Sequence, residues 1–137
     1  MSCELCETDG GQVLWRDPLC RVVLAANESI PGFCRVITTA HVAEATDLGT
    51  ERLFGMMRIL FATERAVRDV LRPDKINLAS LGNVVPHLHW HVIPRWRDDA
   101  WFPAPIWAPA SRAARPRQFG EELAADLARA LERQLGA

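Results

Sequence analysis

The sequence lacks the features that would place it in several broad classes of protein. It contains no run of 18 apolar residues, so we expect no membrane-spanning helix. Its 16 basic and 17 acidic residues give a net charge of −1, which argues against a surface built to bind nucleic acid. Residues 1–7 are acidic and do not resemble a signal peptide, and we detect no internal repeat or low-complexity segment. We therefore expect a cytoplasmic protein whose thiols stay reduced.

The chain does contain enough apolar residues for the core of one ordinary domain. It has 137 residues, of which 49% are hydrophobic. In a reducing compartment its four cysteines are metal ligands or core residues rather than disulfides. Cys20 and Cys34 lie among apolar residues, so we expect both in the core.

Apolar periodicity and turn residues predict an α+β domain over residues 1–137. It has one roughly five-stranded, mainly antiparallel sheet, one long central helix and a C-terminal helix. The predicted strands are 12–15, 20–25, 33–38, 76–81 and 88–93. Residues 1–10 form a separate N-terminal segment, and residues 95–137 hold a tryptophan- and proline-rich segment followed by the last helix.

The two helices have recognisable ends. Thr46 or Asp47 is the expected N-cap of the central helix, which Arg72-Pro73 terminates. Phe61 is one of the apolar residues that recur at helical spacing and are predicted to face the core. The last helix is predicted over 119–135.

Three of the four histidines occur at alternate positions, as His87, His89 and His91. In a strand, side chains two residues apart lie on one face about 6.6 Å apart, so the three imidazoles are expected to share a face. Such a face can bind a metal ion, bind phosphate or attack as a nucleophile, whereas the alternative is an exposed polar edge. The preceding segment 82–86 offers a glycine, backbone N–H groups and the Asn83 amide, which suit a phosphate-binding loop or an ordinary turn.

The stretch 77–95 resembles the signature of the histidine-triad (HIT) family, His-φ-His-φ-His-φ-φ, where φ is apolar. Residues 87–93 match every position of it. The resemblance covers about residues 10–95, and the stretch 73–107 is similar to a proteobacterial branch often labelled diadenosine-polyphosphate hydrolase-like. It implies a HIT-fold hydrolase or nucleotidyltransferase for nucleoside (poly)phosphates, adenosine nucleotides foremost, that forms a homodimer.

The resemblance also implies roles for individual residues. His89 corresponds to the nucleophile that attacks the α-phosphorus and forms a nucleotidyl-histidine intermediate, and His91 contacts the transferring phosphate. Asn77 and Asn83 match positions that bind phosphate oxygens, and Asn27 lies where relatives hold the ribose hydroxyls.

Cys3 and Cys6 form a CxxC pair, which supplies two of the four ligands of a tetrahedral zinc site. Some bacterial HIT proteins complete such a site with a distant histidine and the first histidine of the triad. The resemblance therefore implies a structural zinc ion whose remaining ligands are His41 and His87. The alternative is a pair of spare thiols. A thioredoxin-like redox pair is disfavoured because no strand-then-helix pattern surrounds it.

Two residues depart from the family pattern. Phe33 replaces a histidine of many relatives, which we interpret as a packing residue. Val84 replaces a hydroxyl residue that the phosphoramidase branch uses near the leaving group, so a phosphoramidate substrate is less favoured. The tryptophans of 95–116 either stack on the base as a lid or pack in the core and a dimer interface, and we favour packing.

Two further classes of function stay open on the sequence alone. The histidine face is also compatible with a nucleotide-binding regulatory or scaffold module with little turnover. A structural protein stapled by zinc is the other alternative.

Overall fold

The computed structural model describes residues 2–26, 29–115 and 117–137 and shows one five-stranded sheet. Its strands are β1 (Gln12–Arg16), β2 (Cys20–Leu24), β3 (Cys34–Thr38), β4 (Lys75–Ala79) and β5 (His89–Arg95). They lie in the order β1-β2-β3-β5-β4, and every neighbouring pair is antiparallel. The predicted fold class is therefore confirmed.

Within the described ranges, three α-helices and a 3-10 turn accompany the sheet. They are α1 (Glu4–Glu7), the 3-10 turn Ala45–Leu48, α2 (Thr50–Leu71) and α3 (Leu123–Leu135). The short helix α1 has no counterpart among the predicted elements. Among the described residues, no helix combines the length and the apolar composition needed to cross a bilayer.

The predicted start of the central helix is wrong by a few residues. Thr46 and Asp47 lie inside the 3-10 turn, whose N-cap is Glu44, and the Asp47 carboxylate accepts a hydrogen bond of 3.0 Å from the Glu44 N–H. Gly49, with φ of 78°, then separates this turn from α2, because a left-handed residue breaks the helix. The last helix also begins later than predicted, at Leu123 rather than Phe119.

One face of the sheet packs against α2 and α3 and forms the main core. Cys20 and Cys34 lie in it with almost no exposed surface, as predicted, and burial raises the pKa of each thiol to about 12. Phe61 does not belong to it. It is 53% exposed because α2 buries the side that carries Leu60 and Val67 instead.

The opposite face of the sheet carries the histidines. β5 begins at His89 rather than at Leu88, because the Leu88 N–H donates to the carbonyl of Val42 instead of to a strand neighbour. His87 therefore precedes the strand, and the expectation that all three histidines share one strand face is wrong. His89 and His91 do share it.

Candidate active site and metal centre

His89 and His91 form a buried pair in the middle of the sheet. Each is only 8% exposed, and their ring centroids lie 5.0 Å apart with the rings nearly perpendicular. Antiparallel pairing places Ile37 of β3 opposite His89 and Arg35 opposite His91. Directly opposite residues point to the same side of a sheet, so β3 and β5 together form the floor of this site.

The His89 ring is held in one tautomer. Its Nδ1 lies 2.6 Å from the backbone oxygen of His87. Because a carbonyl oxygen can only accept, Nδ1 carries the proton and donates it, and the lone pair of a neutral ring lies on Nε2. This arrangement leaves His89 with one nitrogen suited to nucleophilic attack.

The His91 ring sits against two aromatic side chains. Phe33 meets it edge-on with centroids 5.4 Å apart, and Trp107 lies 5.6 Å away. Burial, followed by the charges of His89 and Arg35, lowers the pKa of His91 to about 4. Its Nδ1 is buried without a hydrogen-bond partner in the part of the chain that the structure describes. A neutral ring with an unused polar atom is suited to contact a ligand.

Arg35 is a site residue that the sequence analysis missed. It is half-buried, its guanidinium lies 5.5 Å above the Phe33 ring, and Nη1 donates to the carbonyl of Gly10 at 3.3 Å. In the predicted strand 33–38 it lies two residues from both Phe33 and Ile37, so all three share one strand face and Arg35 brings a charge to a face that is otherwise apolar. A charged residue at such a position is the sequence signal that could have identified Arg35 as a site residue.

Two cavities meet at the histidine pair. The larger has a volume of about 510 Å³ and is lined by His89, His91, Leu81, Gly82, Asn83, Val84, Val85 and Trp107. The smaller has a volume of about 130 Å³ and is lined by His89, His91, Glu4, Leu5, Gly10, Arg35 and Val85. The predicted phosphate loop thus lies beside the pair, at the wall of the larger cavity.

The three asparagines predicted at the site have different surroundings. Asn83 is exposed and lines the larger cavity. Asn77 pairs with Ile93 in the β4–β5 register, which puts it on the face of the histidines, but its Oδ1 accepts a hydrogen bond of 2.8 Å from Arg95. Its amide N–H groups make no hydrogen bond to the described residues and are available to a ligand. Asn27 lies outside the described residues.

Arg95, at the end of β5, anchors the segment that follows. It is 1% exposed, pairs with Asp99 through Nε and Nη2 at 2.8 and 3.0 Å, and donates to the carbonyl of Ala104 at 2.8 Å. Asp99 also accepts from the backbone N–H groups of Trp96, Trp101 and Phe102. Burial opposes its ionisation, but these hydrogen bonds lower the pKa of Asp99 to about 2.

The tryptophans of this segment have different environments. Trp96 is buried in the main core beside Phe119, and Trp101 packs against a small cluster around Ile30. Trp107 is 52% exposed and forms part of the larger cavity. Core packing therefore describes Trp96 and Trp101, whereas Trp107 is exposed, and its packing in a dimer interface stays a prediction.

A second cluster brings together the four predicted metal ligands. The ligand atoms of Cys3, Cys6, His41 and His87 all lie within 4.8 Å of one another. The Sγ atoms of Cys3 and Cys6 lie 3.4 and 3.5 Å from Nδ1 of His87, and the two histidine Nδ1 atoms are 3.2 Å apart. Tetrahedral zinc, with bonds of about 2.0 Å to nitrogen and 2.3 Å to sulfur, separates its ligand atoms by about 3.3 to 3.8 Å. The four residues fit such an ion.

The backbone also fixes the tautomer of His87. Its Nε2 lies 2.7 Å from the carbonyl oxygen of Thr38 and must donate, so its Nδ1 lone pair points at the two thiols and His41. Burial lowers the pKa of His87, which favours the neutral ring that a metal requires. Several electron-rich atoms facing one lone pair are a stable arrangement when a cation lies between them.

Comparison with known proteins places these features in one family. The HIT domain profile matches residues 8–98. A protein named AP-4-A phosphorylase from Mycobacterium tuberculosis is 32% identical over 98 residues, covering 67% of this chain and 50% of that protein, so the chain spans about half the length of this relative. A histidine triad protein from Bradyrhizobium japonicum matches 93% of this chain and 92% of its own, with TM-score 0.74 and 26% identity. A zinc-bound histidine triad family protein from Mycobacterium smegmatis matches 97% and 95%, with TM-score 0.69 and 26% identity.

Proposed function

Because the chain belongs to the histidine-triad (HIT) family, we propose that it is a nucleotide hydrolase or nucleotidyltransferase that works through a covalent intermediate on His89. The observation that carries this proposal is the 2.6 Å hydrogen bond from His89 Nδ1 to the carbonyl of His87. It leaves the Nε2 lone pair of a neutral ring beside two cavities, which is the condition for nucleophilic catalysis by histidine.

In the proposed reaction, Nε2 of His89 attacks the α-phosphorus of a nucleoside polyphosphate. A P–N bond forms while the bond from the α-phosphorus to the bridging oxygen breaks, and the remaining phosphate chain leaves with the electron pair. His91, which is neutral, hydrogen-bonds to a non-bridging oxygen. The loop at Gly82 and Asn83 binds the phosphate chain. Water or phosphate then attacks the same phosphorus, and the P–N bond breaks to restore His89.

The substrate class follows from the relatives and from the shape of the site. The similar protein from M. tuberculosis is named for phosphorolysis of diadenosine tetraphosphate. We propose that this chain also acts on an adenosine nucleotide with a polyphosphate chain. Val84 stands where phosphoramidases have a hydroxyl, which favours an anhydride over a phosphoramidate.

We further propose that the metal at the second cluster is zinc, since two thiolates and two imidazoles suit this ion. When bound, zinc would supply a structural crosslink between α1 and the segments that carry His41 and His87. Cys3 and Cys6 would hold it as thiolates, and His87 as a neutral ring through Nδ1. The same residue offers its carbonyl to His89, so the cluster also fixes the peptide that orients the nucleophile.

Three properties of the whole protein complete the proposal. Residues 1–137 form a single HIT domain, because α2, α3 and the sheet contribute to one core. The protein is a homodimer, and the exposed Phe54 and Phe61 of α2 are apolar surface suited to a partner subunit. It works in the cytoplasm, where free thiols such as those of Cys3 and Cys6 remain reduced. Light scattering after size-exclusion chromatography measures the mass and tests the dimer.

The experiment that tests the function is detection of the covalent intermediate. The protein is mixed with diadenosine tetraphosphate, quenched within milliseconds to seconds, and digested for mass spectrometry at neutral pH. We expect an adenylyl group on the peptide that contains His89, and none in the His89→Ala variant. The proposal fails if no adduct and no turnover occur with any of several dinucleotides and mononucleotides, while a nucleotide-binding module would still bind them.

A further inference from the structure

We infer that Trp107 is a specificity-determining residue that stacks on the nucleobase of the leaving half of a dinucleoside polyphosphate. This inference rests on the proposed function and names the substrate class of the same site.

Exposed apolar surface at the larger cavity is the first observation. Three of the five large hydrophobic residues that are exposed in the described part of the chain, Leu81, Val84 and Trp107, line this one cavity. Concentrated apolar exposure of this kind marks a ligand surface.

The position of Trp107 is fixed by the fold. It lies in a turn closed by the hydrogen bond from the Ala108 N–H to the carbonyl of Pro105 at 3.0 Å. Ala104, the residue before this turn, accepts a hydrogen bond at its carbonyl oxygen from the buried Arg95. Arg112, on the other side, donates to the carbonyl of Phe102 at 2.8 Å. An aromatic ring that is half exposed yet held on both sides is preorganised to stack on a ligand.

The larger cavity is also the one toward which the phosphate chain runs. In an in-line displacement the leaving group departs opposite the nucleophile, so the retained nucleoside and the leaving chain need separate spaces. Gly82 and Asn83 line only the larger cavity, and their loop is the phosphate-binding element of the site. Trp107 borders this cavity next to His91, with ring centroids 5.6 Å apart, so a nucleoside that enters the cavity with the leaving chain lies against the indole. Its volume of about 510 Å³ lies within the range of small-molecule sites.

The chemistry at Trp107 suits a flat, neutral ring rather than another phosphate. Leu81, Val84 and Trp107 bring no charge to the cavity, while the cation of the site, Arg35, lines only the smaller one. Stacking of a base on an aromatic side chain tolerates any base, so Trp107 would select for the presence of a second nucleoside and not for its identity.

The test compares two ligands that differ only by the second adenosine, namely diadenosine tetraphosphate and adenosine 5′-tetraphosphate. Their affinities are measured by calorimetry in a His89→Ala background, in which neither is consumed, with and without Trp107→Ala. We expect the dinucleotide to bind about 5- to 150-fold more weakly without Trp107, and the mononucleotide to change by less than about twofold. Trp107→Phe should restore most of the loss. Arg16→Gln, which changes an exposed side chain outside both cavities, is the control and should change neither affinity.

Two outcomes would overturn the inference. Equal losses for both ligands would mean that Trp107 supports His91 or contacts the retained nucleoside. No loss for either would mean that the exposed indole is not part of the binding surface. Because binding is measured without turnover, these results do not depend on catalysis. If the wild type binds both ligands but converts neither, the proposed function fails while the role of Trp107 is still decided.

Discussion

His87 and His89 lie two residues apart in the chain, yet their rings are held in opposite tautomers. His87 donates from Nε2 to the carbonyl of Thr38 and turns the Nδ1 lone pair toward the thiols of the metal cluster. His89 donates from Nδ1 to the carbonyl of His87, which leaves its Nε2 lone pair beside the two cavities. The residue type is the same in both cases. The position of one backbone carbonyl decides whether a ring turns its lone pair toward the four candidate metal ligands or toward the two cavities.

The run 87–91 has a metal half, which is the side chain of His87, and a catalytic half, which is the pair His89 and His91. The two halves are joined through the backbone of His87. The side chain of His87 belongs to the cluster of candidate metal ligands, while its backbone oxygen orients the ring of His89, the proposed nucleophile. A substitution at position 87 removes the ligand but leaves this oxygen in place. The two functions are therefore separable by mutation if β3 and β5 hold the peptide without the metal.

The largest effect is expected at the catalytic half. His89→Ala should lower kcat by at least about a thousandfold, because no other group supplies the attacking lone pair. Metal content and melting temperature should stay close to the wild-type values, since His89 contributes to neither the cluster nor the main core. Steady-state kinetics with diadenosine tetraphosphate and elemental analysis give both readouts. Turnover within about tenfold of wild type would show that another residue is the nucleophile.

An intermediate effect is expected at the metal half. His87→Ala and Cys3→Ser should each remove most of the bound metal and lower activity by about 10- to 100-fold, as loss of a supporting metal contact typically does. The melting temperature should fall with the metal content. Cys20→Ala is the matched control, because it removes a buried thiol outside the cluster and should lower stability without changing the metal. Unchanged metal content in Cys3→Ser would refute the ligand set.

A third prediction concerns the buried Arg95–Asp99 pair, which holds the end of β5 independently of the metal cluster. Arg95 and Asp99 anchor the far end of β5, so Asp99→Asn should destabilise the protein by about 3 kcal/mol, because it leaves a buried guanidinium without its counterion. The metal content should not change. Urea unfolding followed by circular dichroism measures the free energy of unfolding, and a loss below about 1 kcal/mol would place the anchor elsewhere.

The same carboxylate predicts a dependence of stability on pH. The folded-state pKa of Asp99 is about 2, below the ordinary 3.8, so its ionised form stabilises the fold above pH 4 by about 2 kcal/mol. This contribution disappears as the pH falls from about 4 toward 2. Asp99→Asn has no titrating group there, so the difference between the two proteins should shrink over this interval. A constant difference would contradict the assigned pKa.

The sequence predicted most of this site because the predictive patterns were local. Alternating histidines, a CxxC pair and a glycine loop are visible within a few residues, and the structure places His87 with the CxxC pair and the other two histidines beside the loop. The orientation of His87 was harder, since it depends on the carbonyl of Thr38, which is close only after β3 and β5 pair. Arg35 was missed for the same reason. Its role depends on the strand register that places it opposite His91 and not on any motif.

The smallest predicted effect tests that register. Burial is the main cause of the low pKa of His91, and the charges of His89 and Arg35 add to it. Because the pKa is about 4 and below the ordinary 6.5, the ring binds no proton as the pH falls from 8 to about 5, whereas an unperturbed histidine would titrate in that interval. NMR spectra of the ring, recorded across this pH range, should show no titration of His91.

Arg35→Gln should raise the pKa of His91 by less than burial lowers it, because it removes one nearby cation and leaves the ring buried. Arg16→Gln, which removes an exposed cation outside the site, is the control and should leave the titration unchanged. A His91 pKa that is equal in the Arg35→Gln and Arg16→Gln variants would show that Arg35 does not act on the catalytic pair, and the cation would then belong to the substrate cavity alone.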